Sequence, residues 1–338
     1  MKIIELKKDS DLSLSFNHLF TNQKTKSIMK TVRIHEYGNS DVLRIEEMPV
    51  PQIAADELLI KIHAASVNPI DWKVREGYMK DMHLHTLPLT LGQDFSGTVE
   101  KVGSSVKGFK VGDDVFGRPS IERDGTYAEY IEVKASEVAL MPKTITYDEA
   151  ATIPLVGITA WETLINKAKI QRGQRVLILA ASGGVGSMAI QIAKSKGCYV
   201  IGTTSRTNVD FVRNLGCDEV IDYMSQDFSE RLSDIDVVLD TIGGEVQEKA
   251  FKVLKRGGFL VSIANKPNQE TANRYGVRCE YVFVGPNAHI LNELRTLIEM
   301  GQIHPVVDRV FRLEDAKQAL NYSQSGKARG KIVLEITK

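Results

Sequence analysis

The sequence predicts an α/β protein: a mostly β region followed by a doubly wound parallel sheet. Two patterns carry this reading. From Lys30 to about Lys143, β-branched runs at Thr31 to Ile34, Glu57 to Ile62, Gly97 to Val102, Val111 to Phe116 and Tyr127 to Val133 are broken by Gly, Pro, Asn and Asp, the spacing of a strand-rich domain. After Thr144, apolar strands alternate with helical segments: VLILAAS from Val176, then YVIGTTS, EVIDY, DVVLDTIG and GGFLVSIA. Such alternation implies crossover units and a parallel sheet. Val176 to Leu179 is apolar throughout, as a central strand buried on both faces requires. PVVDRVF at 305–311 and KIVLEI at 331–336 read as strands flanking a helical stretch from Leu313 to Ser323. Periodicity leaves open whether they extend the parallel sheet or rejoin the first region.

The central strand runs into Ser182, Gly183, Gly184, Val185 and Gly186, and then into the helical run SMAIQIAKSKG. Glycines suit a tight strand-to-helix turn, and a pyrophosphate can approach the freed backbone N–H groups at the helix start. In this setting the turn predicts a Rossmann-type nucleotide site. An NAD-preferring site places Asp or Glu at the end of the second strand. Here that stretch is Thr203, Thr204, Ser205, Arg206, so Ser205 and Arg206 are expected to meet a 2′-phosphate, which favours NADPH.

The chain has 338 residues, enough for two domains, and 43 Lys+Arg balance 43 Asp+Glu. Zero net charge argues against a nucleic-acid or basic membrane-surface binder. No apolar stretch approaches the ~20 residues of a membrane helix. Three cysteines, Cys198, Cys217 and Cys279, form no close pair, which suits a reducing compartment and a cytoplasmic location. Residues 1–28 mix charges of both signs without the apolar core of a secretory signal, so they read as an N-terminal extension ahead of Met29.

These motifs resemble the medium-chain dehydrogenase/reductase superfamily, in particular its zinc-free NADPH:quinone oxidoreductase (zeta-crystallin-like) branch. The stretches that carry the resemblance are HAASVNPIDWKVREG (63–77), LGQDFSGTVEKVG (91–103), GDDVFG (112–117), GTYAEYIEV (125–133), AATIPLVGITAWETL (150–164), the glycine turn and GKARGKIVLEI (326–336). They extend over nearly the whole chain from Met29. The resemblance implies a GroES-like catalytic domain at 29–150, a Rossmann NADPH-binding domain at 151–300, and a segment at 301–338 that returns to the catalytic domain. Substrate would then bind between the domains.

Zinc-dependent relatives hold the metal with a Cys and a His-Glu pair, where this chain has Asn68 and Gln93-Asp94. An amide is a poor zinc ligand, so no metal is expected. His83 and His85 form an H-x-H pair without a third ligand nearby and read as surface residues. The expected chemistry is hydride transfer from NADPH to quinones or α,β-unsaturated carbonyl compounds. A 2-enoyl thioester reductase, or a non-catalytic NADPH-binding structural or regulatory protein, is the alternative.

By resemblance, Asn68 is a catalytic donor or organiser that also contacts the cofactor, and Tyr78 is the proton donor. Asp71 and Lys73 would shape the nicotinamide-ribose region, and Thr159 would face the nicotinamide or its phosphates. Tyr223 would flank the adenosine, Thr241 and Ile242 would close over the ribose, and Ile263 and Ala264 would follow the fifth strand. Phe283 and Val284 would lie near the carboxamide, with Lys331 approaching the phosphates. YVFVGP at 281–286 is a plausible edge strand, through which a homodimer could form.

Overall fold

The computed structural model describes residues 27–337. The extension expected at 1–28 therefore falls mostly outside the described residues. Its last residue, Ile28, opens the strand Ile28–Ile34 and pairs with Pro49, so this strand begins three residues before the run expected from Thr31.

The first region contributes β1 (Ile28–Ile34), β2 (Leu43–Pro49), β3 (Glu57–Val67), β4 (Leu89–Thr90), β5 (Asp94–Val102), β6 (Asp114–Gly117), β7 (Tyr130–Lys134) and β8 (Val138–Leu140). Helix α1 (Pro69–Arg75) follows β3, and α2 (Tyr147–Ala151) and α3 (Pro154–Trp161) lead out of the region. β2, β1 and β4 form one antiparallel sheet. Two strands start later than their sequence assignments. Residues 111–113 form a turn around the left-handed Gly112, so β6 starts at Asp114. Tyr127 and Ala128 instead meet the other sheet, the Tyr127 carbonyl accepting from the Val32 amide at 2.8 Å.

The second region holds β9 (Arg175–Ile178), β10 (Tyr199–Thr204), β11 (Glu219–Asp222), β12 (Ile235–Asp240), β13 (Leu254–Ser262) and β14 (Arg278–Tyr281). All pair in parallel, in the order β11-β10-β9-β12-β13-β14. β9 shows why the strand had to be apolar along its length. Val176 and Ile178 enter one core with Ala189 and Ile192 of α4 (Gly184–Ser195), while Leu177 and Leu179 enter another with Ala250 and Phe251 of the helix Gly244–Val253.

The two final strands do not extend this sheet. β15 (Val307–Arg312) pairs with β16 (Lys331–Glu335), and β16 runs antiparallel to β3, with Ile332 opposite Val67. The larger sheet of the first region thus reads β15-β16-β3-β5-β6-β8, with β7 also on β3. This return sets the C-terminal segment against the start of α1. The expected edge strand at 281–286 shares only Tyr281 with β14. The Val282 amide still donates to the Ser262 carbonyl at 2.8 Å, after which Gly285 and Pro286 break the run, since proline has no N–H to give a ladder. No helix among the described residues is long and apolar enough to cross a membrane.

Candidate active site

The parallel sheet reverses its strand order between β9 and β12. Chain connections leave these strands in opposite directions, which opens a crevice beyond their carboxyl ends. A cleft of about 510 Å³ lies there. Thr241, Ile242, Ile263, Ala264, Phe283 and Val284 line it from the loops after β12, β13 and β14. Asn68, Lys73, Thr159 and Lys331 face it from the other side, so most of the expected cofactor positions converge on one cavity.

The glycine turn forms part of the wall. Ala180 takes the left-handed conformation (φ 51°), and its carbonyl accepts from the Gly183 amide at 3.1 Å. The first helical bond of α4 runs from the Ser187 amide to the Gly183 carbonyl at 2.8 Å. The Gly184, Val185 and Gly186 amides precede it and have no intrahelical acceptor. A Cβ on Gly183 would have no neighbour closer than 3.5 Å, whereas one on Gly186 would stand 2.4 Å from the Ala180 carbonyl oxygen. The turn is therefore open where a ligand would approach and tightly packed where helix meets strand. These donors, at the start of a 12-residue helix, fit a pyrophosphate.

Ser182, Ser205, Arg206 and Tyr223 are not part of the cleft lining but stand beside this turn, where β10 and β11 end. Ser182 Oγ accepts from Thr204 Oγ1 at 2.9 Å and from Asn208 Nδ2 at 3.3 Å, and Asn208 also reaches Ser205 Oγ at 3.3 Å. The Tyr223 amide donates to the Thr204 carbonyl at 3.1 Å. Arg206 is exposed. Thr204 and Asn208 were not expected here, although a hydroxyl and an amide flanking Ser205 and Arg206 are signs of a polar pocket.

At the base of the cleft lies a buried polar network. Asn68, fully buried, precedes Pro69, whose fixed φ suits the first helical position. Asn68 Nδ2 donates to Asp94 Oδ2 at 2.8 Å, and Asn68 Oδ1 accepts from the Lys331 ammonium. Lys331 also donates to the Val67 carbonyl at 3.0 Å and pairs with Asp94 at 3.4 Å. Asp94 receives Ser66 Oγ at 2.9 Å and the Leu155 amide at 2.8 Å. Behind it, Asp71 accepts from the Asn68 amide and from the Tyr127 hydroxyl, both at 2.7 Å. Burial pushes the Asp71 carboxyl up to about 7. It also lowers the Lys331 ammonium, against the opposing pull of Asp94 and Asp71.

Two expectations are corrected. Lys331 does not reach toward the helix start with its charge; the pairing of β16 with β3 carries its ammonium to Asn68 and Asp94, and only its aliphatic stem passes Gly184. Tyr78 does not line the cleft. The left-handed Gly77 (φ 81°) ends the turn after α1 and throws Tyr78 outward, 72% exposed, with its ring edge-on to Trp72 at 6.1 Å.

Arg118, directly after β6, was missed, because a single arginine after GDDVFG has no pattern to mark it. It lines the cleft although only 2% exposed. His83 is exposed and His85 half-buried, and among the described residues no three His, Cys, Asp or Glu side chains are grouped to hold a metal.

Two protein families match the chain: the alcohol dehydrogenase GroES-like domain at residues 54–143 and the zinc-binding dehydrogenase at residues 215–334. A mitochondrial NAD(P)H oxidoreductase of Mus musculus is 35% identical, over 95% of this chain and 92% of its own length. The chain belongs to the medium-chain dehydrogenase/reductase superfamily. A chloroplastic NADPH-dependent alkenal/one oxidoreductase of Arabidopsis thaliana is 37% identical, over 90% of this chain and 79% of its own. Among solved structures, the quinone oxidoreductase from Coxiella burnetii superposes with a TM-score of 0.86 at 33% identity, covering 92% of this chain and 100% of that one. Within the superfamily, quinone and alkenal reductases are thus among the relatives to which this chain is similar.

Proposed function

We propose that this protein is a zinc-independent reductase that transfers hydride from NADPH to quinones or α,β-unsaturated carbonyl compounds. The observation that carries the reading is the crevice at the switch point, with the open glycine turn on one wall and the Asn68, Lys331 and Asp94 network at its base. Gly183 to Gly186 would hold the pyrophosphate, Ser205 and Arg206 the 2′-phosphate, and Thr159, Thr241, Ile242, Phe283 and Val284 the nicotinamide half. Tyr223 would flank the adenosine, Thr241 and Ile242 would close over the ribose, and Ile263 and Ala264 would line the cleft after β13. When bound, NADPH supplies the hydride. The chain's own contribution is to position the acceptor in a shaped cleft and to place polar groups where charge develops on it.

Although one matching family is described as zinc-binding, the donor set does not suit zinc. Asn68 offers an amide, and Asp94 is already taken up by Ser66, Asn68, Leu155 and Lys331. The ammonium beside it would repel a dication. Three free cysteines, two of them buried, suit a reducing compartment. The mouse relative is mitochondrial and the Arabidopsis relative chloroplastic, and a reducing cytoplasm or organelle interior fits these cysteines equally. β14 ends the parallel sheet with an open edge, and pairing of two such edges is our proposal for a homodimer, to be tested by sedimentation.

The deciding experiment measures NADPH consumption against 1,2-naphthoquinone, 1,4-benzoquinone, short 2-alkenals and crotonyl thioesters. Turnover with quinones or alkenals is expected. Turnover with the thioesters alone would make the protein an enoyl thioester reductase, and NADPH binding without turnover on any acceptor would make it a binding protein.

A further inference from the structure

Among the described residues three cationic side chains are buried: Arg75, Arg118 and Lys331. Arg75 pairs with Glu76 at 2.5 Å and Lys331 with Asp94 at 3.4 Å. Arg118 has no carboxylate within ion-pairing distance among the described residues. Its Nη1 donates to the Val284 carbonyl at 3.1 Å and its Nη2 to Gln93 Oε1 at 3.2 Å, both neutral acceptors, while Nε is buried without a partner. Burial lowers its pKa, and Asp94, the foremost opposing influence, is already engaged by Lys331. Charge buried without a counter-ion is expensive. Here it faces a cleft in which, on the function proposed above, negative charge appears during the reaction.

We infer that Arg118 is the group that receives the negative charge left on the acceptor oxygen when hydride arrives. Hydride adds to the electron-poor carbon of an enone or quinone, and the π pair moves to the carbonyl oxygen, giving an enolate or hydroquinone anion. Water then supplies the proton to that product, and NADPH ends as NADP⁺. The guanidinium is held from two sides, by Gln93 of the catalytic region and by Val284 of the coenzyme region, so it is in place before the charge forms. That is the arrangement in which an electrostatic donor is most effective. A neutral acceptor gains little from it in the ground state, so its effect belongs to kcat rather than KM.

The test uses para-nitrophenol, whose phenolate mimics the product anion and is read by its visible absorbance. Bound to the protein with NADP⁺, it should ionise about 1 to 3 pH units below its value in water, and Arg118→Met should abolish most of that shift. In turnover, R118M should lose on the order of 100-fold in kcat with KM little changed. An R118K variant, which keeps the charge, should retain part of both effects, and R118Q should not. An unshifted phenol on the wild-type protein, or R118M with wild-type kcat, overturns the inference. The wild-type titration needs no variant to fold and no turnover. Absence of activity on every acceptor would therefore fail the functional reading alone, and an unshifted phenol on an active enzyme would fail only the role of Arg118.

Discussion

The Lys331 ammonium donates to the side-chain carbonyl of Asn68 across a sequence separation of 263 residues. This contact ties the last strand to the first turn of α1, and so couples the closing of the chain to the orientation of the amide at the base of the cleft. It also fixes how Asn68 can act. Its Nδ2 faces Asp94, and its remaining amide hydrogen makes only a long 3.4 Å contact with the Ser66 carbonyl. On this geometry Asn68 would serve chiefly to hold the network, with Arg118, as inferred above, supplying the charge that meets the substrate.

Removing the cation from this network strands Asp94, which is fully buried. Lys331→Met should lower stability by about 3 to 5 kcal/mol, the range for breaking a buried pair. The double variant with Asp94→Asn removes both charges and should lose less than the sum of the two single changes. Urea unfolding of the three variants measures this, and strict additivity would show that the pair is not coupled.

Asp71 makes stability depend on pH in the direction opposite to an ordinary surface carboxylate. Its pKa is about 7 in the folded protein and roughly 3.9 in an unfolded chain. Between about pH 4 and 7 the native state keeps a proton that the unfolded state releases. Stability from this group is therefore full below pH 4 and falls by about 1.4 kcal/mol per pH unit as pH rises to 7. Asp71→Asn, which still offers an oxygen to Tyr127 and to the Asn68 amide, should flatten that part of the profile. Identical pH profiles of unfolding for the two proteins would rule out this role.

The glycine turn separates folding from binding. A Cβ at Gly186 would meet backbone, at 2.4 Å from the Ala180 carbonyl oxygen and 2.7 Å from Ala181 Cα. Gly186→Ala should therefore destabilise by ~2 kcal/mol or more. At Gly184 the nearest atoms are side-chain ones, Lys331 Cδ at 2.9 Å and Val156 Cγ1 at 3.0 Å. Gly184→Ala should cost less stability than Gly186→Ala, because side chains and not backbone must give way, yet weaken NADPH binding about tenfold by crowding the cradle. Thermal unfolding and fluorescence titration with NADPH distinguish the two.

On the function proposed, cofactor preference would rest on Ser205 and Arg206, beside the Ser182, Thr204 and Asn208 cluster. Arg206→Glu replaces a charge-assisted contact to the 2′-phosphate with a repulsion. The KM for NADPH should rise about tenfold or more while that for NADH hardly changes. Equal changes in both would remove Arg206 from the site.

The parallel sheet, the glycine turn and most of the cleft lining were legible in the sequence because each rests on a local pattern. Val176 to Leu179 had to be apolar to serve two cores, and the loops that line the cleft simply follow the strands. What was illegible depends on long-range pairing. The resemblance implied that the segment around Lys331 returns to the first region, but nothing near Lys331 shows that its ammonium will lie at Asn68 and Asp94, and nothing near Arg118 shows that Val284 and Gln93 will flank it. Tyr78 failed for the reverse reason: its position in the motif was legible, but the left-handed turn at Gly77 points it outward.

That outward placement gives the sharpest test of where the final proton comes from. Tyr78 is 72% exposed and packs on Trp72 instead of lining the cleft. Exposed substitutions away from packed or charged features usually have small effects, so Tyr78→Phe should keep kcat within about twofold on quinones and alkenals alike. With solvent as the donor, R118M and Y78F should behave independently, the first losing kcat and the second not. If Y78F instead lost activity on the order of 100-fold, the size expected for a general acid, the loop after α1 would have to fold over the cleft during turnover and bring the phenol to the substrate.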